Sequence, residues 1–339
     1  MKKYMFYILL LSFFVNYQTA VSQDIQNSVN KTFKNITSLD VEGSFCEVKI
    51  KGENRDDVAF NGEIISSKNY DIQIKYEVNG STLKVWLKRP RSIRGKIKGK
   101  LYFKVPSNTN INVVNSSGGI DVENIGQSKV ELIASSGSIH VRNIDTDISI
   151  TSSSGSLYVK DVSGDVRLTS ASGSINVSGI NGDLYSVSSS GSQKIEGIKG
   201  NLKVTASSGS IILNMINGNI NARTASGSIL IDQANGNLTA LSSSGGIKLD
   251  NISGALNLTS TSGSQRGSGI KITGDSSFKS SSGSVIMELL NDASELSFEL
   301  YSSSGSLSAK GSRASHKLIT GNGPIKIYGK TSSGSQNFK

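Results

Sequence analysis

The chain has 339 residues, 36 of them Gly and 3 Pro, and carries 36 Lys and Arg against 26 Asp and Glu, a formal net charge of +10. One Cys excludes an internal disulfide, and two His with no partner His or Cys at ligand spacing exclude the usual zinc sites. The length exceeds an ordinary compact domain but suits a repeat array, which grows along one axis.

At the N-terminus, Met1-Lys-Lys precedes an apolar run from Tyr4 to Val15 and a polar stretch ending Ala20-Val-Ser22. Small residues at Ala20 and Ser22 suit signal peptidase, so 1–22 is expected to be a signal peptide cleaved between Ser22 and Gln23. The run is short for a membrane span, and no later segment is long and apolar enough to be one. No Cys follows the cleavage site to take a lipid. The mature protein is expected to be exported, to the periplasm, the outer surface or the medium, with no transmembrane segment.

Residues 23–115 read as an N-terminal β cap. Cys46 alternates with Val48 and Ile50, which places it in the core. Asp71-Ile-Gln-Ile-Lys-Tyr-Glu-Val78 and Ser81-Thr-Leu-Lys-Val-Trp-Leu-Lys88 flank Asn79-Gly80, a type I′ hairpin signal. Pairing Val78 with Ser81 sets Tyr76, Ile74 and Ile72 opposite Leu83, Val85 and Leu87. A third strand runs from Lys96 to Val105, stopped by Pro106. These strands are expected to cover the first coil of the repeat array, since an open solenoid end is an exposed sheet edge.

Residues 116–329 read as a β-solenoid of about eleven coils. Gly recurs every nine residues from Gly155 to Gly263, in two alternating nine-residue units. Positions two and four past each Gly are apolar, as in Ile211 and Leu213 or Ile220 and Ala222, the alternation of a strand with one buried face. The Ser-Gly unit adds an apolar residue seven on, such as Ile216. The Asn-Gly unit adds a small one six on, such as Thr224. Each 18-residue coil is therefore expected to give one strand to each of two facing parallel sheets, with coils about 4.8 Å apart. Gly at each corner can take positive φ. Leu184, Leu202, Ile220, Leu238 and Leu256 should stack as an apolar ladder, and Asn201, Asn219 and Asn237 as an amide ladder. A three-sided helix of six-residue rungs also divides eighteen, but the apolar rhythm is nine. Handedness is expected to be right, by the rule for parallel crossovers. Beyond Gly263 the rhythm loosens, and 330–339 repeats the motif out of register, which suggests a frayed tail.

Lys104-Val-Pro106, Ile111-Asn-Val113, Ser116-Ser-Gly-Gly-Ile-Asp-Val122 and the repeated Ser-Ser-Gly-Ser-Ile-x-Val resemble the bacterial putative-adhesin family of exported β-strand-repeat proteins. The resemblance covers roughly Leu39 to Gly323. It implies the solenoid fold and an envelope or surface role, and it brings no catalytic residues. The family's Ser-Gly-Asp turn is here mostly Ser-Gly-Ser.

Catalytic and metal sites are not evident. A calcium-binding nonapeptide roll needs Gly-Gly-x-Gly-x-Asp turns, whereas these turns offer Ser and amides with isolated acids such as Asp165 and Asp183. His140 should point outward and His316 inward. No Ser-His-Asp set and no cofactor motif is apparent, and the Ser runs read as corners. Carbohydrate-active β-helix enzymes are the enzymatic alternative, requiring clustered acids in a groove. Flat Ser/Thr arrays for ice binding do not fit Ser at corners.

The charge is uneven. Lys88, Arg89, Arg91, Arg94, Lys96, Lys98, Lys100 and Lys104 form a run with no acid among them. One reading is a strand whose Lys residues block edge pairing. The other is a patch for an acidic surface glycan, a lipid phosphate or an envelope protein. Nucleic acid is not expected, because stacking aromatics are not interleaved. The sequence thus reads as a non-enzymatic envelope solenoid for binding or scaffolding, an adhesin in the resemblance. An envelope-stress accessory role is the other non-enzymatic alternative.

Overall fold

The computed structural model describes residues 24–339. The expected signal peptide and the Ser22–Gln23 bond lie outside the described residues.

Each regular coil supplies two strands. Ile211–Asn217 enters the first sheet, the chain turns at Gly218 and Asn219, and Ile220–Thr224 enters the second. Ile211 pairs in parallel with Ile229, and Ile220 with Leu238, so equivalent residues of successive coils stack. The fold is an all-β, two-sheet parallel solenoid of 18-residue coils. Among the described residues the strands form two sheets, of 17 and 16 strands, with no third face. About ten coils succeed one another in chain order between Asn110 and Leu289, against the eleven or so read from the sequence.

The core is one apolar column shared by both sheets. Ile211, Leu213 and Ile216 face inward from one strand, Ile220 and Ala222 from the next. The seven-residue offset of Ile216 has a backbone cause. The residue before it, six past the Ser-Gly glycine, is left-handed in each regular coil: Asn124, Asn143, Asp161, Gly179, Gly197, Met215, Gln233, Asn251 and Gly269 have φ of 53–69°. The ladder skips it, Asn214 pairing Asp232 and Ile216 pairing Ala234. This bulge resets the pleat by one residue, so the next inward side chain comes at seven rather than six. In the other strand the buried small residue ties the corner, as where Thr224 Oγ1 accepts from Gly227 N at 3.0 Å.

Gly137, Gly155, Gly173, Gly209, Gly227, Gly245 and Gly263, which open the Ser-Gly units, are not at positive φ, contrary to expectation, whereas Gly191 is. They are small because coils touch there: a Cβ on Gly209 would stand 2.0 Å from the carbonyl oxygen of Gly191.

Both ends depart from chain order. Ser38–Ser44 lies between Thr82–Lys88 and Asn110–Asn115 in the second sheet. Glu47–Glu53 lies between Ile97–Pro106 and Ile120–Ile125 in the first. Solenoid rungs therefore occur inside 23–115, and among the described residues only Asp24–Lys34, Asp57–Ser66 and Gln73–Asn79, paired antiparallel, close that end. At the other end, Ile325–Thr331 sits between Ser276–Ser280 and Leu296–Ser302. Gln336–Phe338 sits between Val285–Leu289 and Leu307–Ala309. The tail expected to fray at 330–339 is instead an inserted rung, and Phe338 is buried against Phe278 and Phe298.

Two local expectations are corrected. The hairpin turns on Gly80-Ser81, with Val78 opposite Leu83 and Asn79 opposite Thr82. Gly80 alone takes positive φ (61°), the first central position of a type II′ turn. This two-residue slip keeps the same side chains on each face, so matching faces could not distinguish the registers. His316 is exposed rather than inward, since 310–320 leaves the coil pattern as an antiparallel excursion.

Candidate functional site

The structure gathers the basic run at the N-terminal end. Lys88 ends a second-sheet strand, with Nζ 4.0 Å from Asp71 Oδ2. Residues 89–96 then cross to the first sheet. That crossing is held in place: the Tyr70 hydroxyl accepts from Arg94 N at 2.8 Å and donates to Arg94 O, Ser67 Oγ accepts from Lys96 N, and Ile93 packs on the core. Lys98 and Lys100 stand on the outer face of Ile97–Pro106, with Lys100 in register between Glu47 and Glu63. All seven basic residues from Lys88 to Lys100 are exposed. Among the described residues, Arg89, Arg91, Arg94, Lys96 and Lys98 form no ion pair. The strand carrying Lys98 and Lys100 is paired on both sides at Lys100, so the charge of Lys100 protects no edge, whereas Lys98 pairs only with Ile65. The run also holds the molecule's charge surplus. Of 36 basic residues, eight lie from Lys88 to Lys104 and two are Lys2 and Lys3, and the other 26 are matched by 26 acids.

A second feature, missed in the sequence, is a groove of about 450 Å³ on the outer face of the first sheet, lined by Lys49, Lys51, Tyr102, Asp121 and Arg142 among others. Its charges largely satisfy one another. Lys49 Nζ lies 2.8 Å from Glu47, and Tyr102 donates to the same carboxylate at 2.8 Å. The Lys49 ammonium, and next the Tyr102 hydroxyl, hold Glu47 below the usual carboxylate range against its partial burial. Arg142 grips Glu123 through Nε and Nη2. His140, outward as expected, stacks on Tyr158 with ring centroids 4.7 Å apart. Among the described residues no group of His, Cys, Asp or Glu could hold a metal ion.

A third feature, a groove of about 880 Å³, runs along the corner and outer face of the second sheet. The expected amide ladder is here, and it is longer than Asn201, Asn219 and Asn237. Asp147 Oδ1 accepts from Asp165 N at 2.7 Å, Asp165 from Asp183 N at 2.9 Å, and Asp183 from Asn201 N at 2.7 Å. Asn201, Asn219 and Asn237 continue the pattern to Ala255 N. The bond runs from side-chain oxygen to the backbone one coil on, so Asp serves as well as Asn. The acids read as isolated in the sequence are rungs of one ladder, and the Asp or Asn recurring every 18 residues was the signal for it. Beside it, the Tyr185 ring lies between Arg167, 4.8 Å from its centroid, and Lys203, at 5.3 Å.

The family model described as Toastrack DUF4097 matches residues 36–240 and 217–338. No curated protein matches the chain. Among solved structures, a putative cell adhesion protein from Clostridium sporogenes is 11% identical, over 94% of this chain and 99% of that one, with a TM-score of 0.19. A putative adhesin from Parabacteroides merdae is 12% identical over 78% and 97%, with a TM-score of 0.26. One from Parabacteroides distasonis is 14% identical over 75% and 96%, with a TM-score of 0.28.

Proposed function

The chain belongs to the Toastrack DUF4097 family, and from that premise we propose that it is an exported, non-enzymatic envelope protein that binds an acidic component through its N-terminal end. The observation that carries this reading is the basic surface at 88–100. It holds the surplus charge, it is presented by a pinned crossing, and five of its cations have no acidic partner among the described residues. An acidic surface glycan, a lipid phosphate or an acidic envelope protein supplies the complementary charge. Adhesion or scaffolding results if the solenoid holds that component at one end while its long faces meet something else.

The test compares wild type with a variant carrying Gln at Arg91, Arg94, Lys96, Lys98 and Lys100. Retention on an anionic polysaccharide and on anionic vesicles is measured at two salt concentrations. Wild-type retention should fall as the Debye length shrinks from about 10 Å at 0.1 M to about 3 Å at 1 M, and the variant should not be retained. Circular dichroism should be unchanged, because exposed substitutions typically cost under about 0.5 kcal/mol each. Equal retention of both proteins would overturn the reading.

A carbohydrate-active enzyme is the second reading, and one observation favours it: Asp147, Asp165 and Asp183 line a groove. They stand in a single row, each with one oxygen held by a backbone N–H, whereas glycosidases flank the scissile bond from two sides. Intact oligosaccharide after prolonged incubation is the expected outcome.

A further inference from the structure

We propose that the groove along the second sheet binds a linear, neutral polysaccharide lying parallel to the solenoid axis. This site is separate from the basic end and does not depend on it.

The two grooves differ in what their polar groups still lack. On the first sheet, Glu123 is taken by Arg142 and Glu47 by Lys49 and Tyr102. In the second-sheet groove each Asp or Asn oxygen Oδ1 is fixed by the next coil's N–H; Asn201 Nδ2 also donates to the Asp183 carboxylate, and at the other rungs the rest of the side chain is left over. Asp147 and Asp165 keep Oδ2 as an acceptor, and Asn219 and Asn237 keep their NH2 as donors. The Tyr185 hydroxyl has no partner among the described residues, and neither Arg167 nor Lys203 forms an ion pair there. The carboxamide oxygen of Asn221, which also lines the groove, is buried without a hydrogen-bond partner. The row is thus preorganised by the backbone, which lowers the ordering cost of binding.

The ligand class is set by these groups. Acceptors lead at the Asp end and donors at the Asn end, and a hydroxyl answers both. Three carboxylates against two cations give no net attraction for a polyanion, and the Asp row repels phosphate. The apolar lining residues Leu184, Leu202 and Ile220 are buried side chains of the core, so a lipid chain finds no apolar floor. An extended peptide repeats at about 3.3 Å per residue, out of step with coils about 4.8 Å apart. A β-1,4-linked pyranose chain advances by about one coil per sugar with successive rings turned over, so every second rung meets an equivalent part of the ligand. The Tyr185 faces are covered by Arg167 and Lys203, so recognition is by hydrogen bonding along the chain rather than by stacking.

Calorimetric titration of the full chain with cellohexaose and chitohexaose tests this, with the matching disaccharides as length controls. At least one hexaose should bind, about tenfold or more tighter than its disaccharide. The double variant Tyr185→Phe, Lys203→Gln should weaken it at least about tenfold with unchanged circular dichroism. The five-Gln variant at the basic end should bind as wild type does. No binding of either hexaose, equal affinity for the disaccharide, or indifference to the groove variant would each overturn the proposal. So would preference for an acidic hexaose over both neutral ones.

Discussion

Gly118 lies against the carbonyl of Cys46: a Cβ on this glycine would stand 1.8 Å from that oxygen. Its neighbour Gly119 has open room, with the nearest atom 3.5 Å away at Ser138 O. Gly118 is thus where the first regular coil meets the rung inserted from the N-terminus. Gly118→Ala should cost more than about 4 kcal/mol, because backbone must separate from backbone. Gly119→Ala should cost under about 1 kcal/mol. Denaturant unfolding of the two variants checks the contrast, and similar midpoints would contradict the inserted-rung contact.

That contact shows where the sequence is legible and where it is not. Coil length, the two-sheet core and the Leu184-to-Leu256 ladder arise from local periodicity, because each coil packs on its chain neighbour. The inserted rungs break that premise. Ser38–Ser44 carries the ordinary alternation of any half-buried strand, and nothing in it names Thr82–Lys88 and Asn110–Asn115 as its partners. The basic run was visible as composition. Only the pairing of the strand shows that Lys100 lies between two partners and guards no edge. Asp165 and Asp183 were visible too, but a carboxylate was not expected in an amide ladder until the acceptor proved to be serving backbone N–H.

The left-handed column makes one residue type unfavourable. Met215 has φ of 54° and is 46% exposed, whereas Asn holds the equivalent place at Asn124, Asn143 and Asn251. A left-handed L-residue costs roughly 1–2 kcal/mol, least for Asn and Gly. Met215→Asn should therefore stabilise by about 0.5–1 kcal/mol, and Met215→Val should destabilise by at least about 1 kcal/mol. Hydrogen exchange of the adjacent coils reports the change locally, and a loss of protection in the Asn variant would count against the bulge.

Cys46 is fully buried, and burial pushes its thiol up to about 12 from an ordinary value of 9.0. The folded state therefore keeps its proton where the unfolded chain loses it. Stability from this group is complete below about pH 9 and falls as pH rises through the window from 9 to 12. Cys46→Ala should flatten that alkaline decline, whatever it costs at neutral pH. At pH 8 a thiol reagent should label the native chain only at the rate of opening, and prompt labelling would show the rung to be loose.

The last rung gives the sharpest test of the stack. A frayed tail could be removed at little cost, usually within about 0.5 kcal/mol. The structure instead makes 325–339 the partner of strands on both sides. Val285 N donates to Ser335 O at 2.9 Å, Lys339 N to Met287 O at 2.9 Å, and Gln336 N to Ser306 O at 2.9 Å. Ile327 and Phe338 are each 1% exposed, and burial of such side chains contributes about 1.5–3 kcal/mol each. Ending the chain at residue 324 removes these contacts and also opens two facing pairs of edges, Ser276–Ser280 with Val285–Leu289 and Leu296–Ser302 with Leu307–Ala309. Open edges recruit other strands. The truncated chain should therefore lose protection over 276–320 and self-associate in sedimentation, while the coils before Gly263 keep theirs because coupling is between neighbours. A synthetic peptide of residues 325–339, added in excess, should bind the truncated chain and restore a monomer. A truncated chain that stays monomeric with full protection over 276–320 would return the tail to the frayed end expected from its sequence.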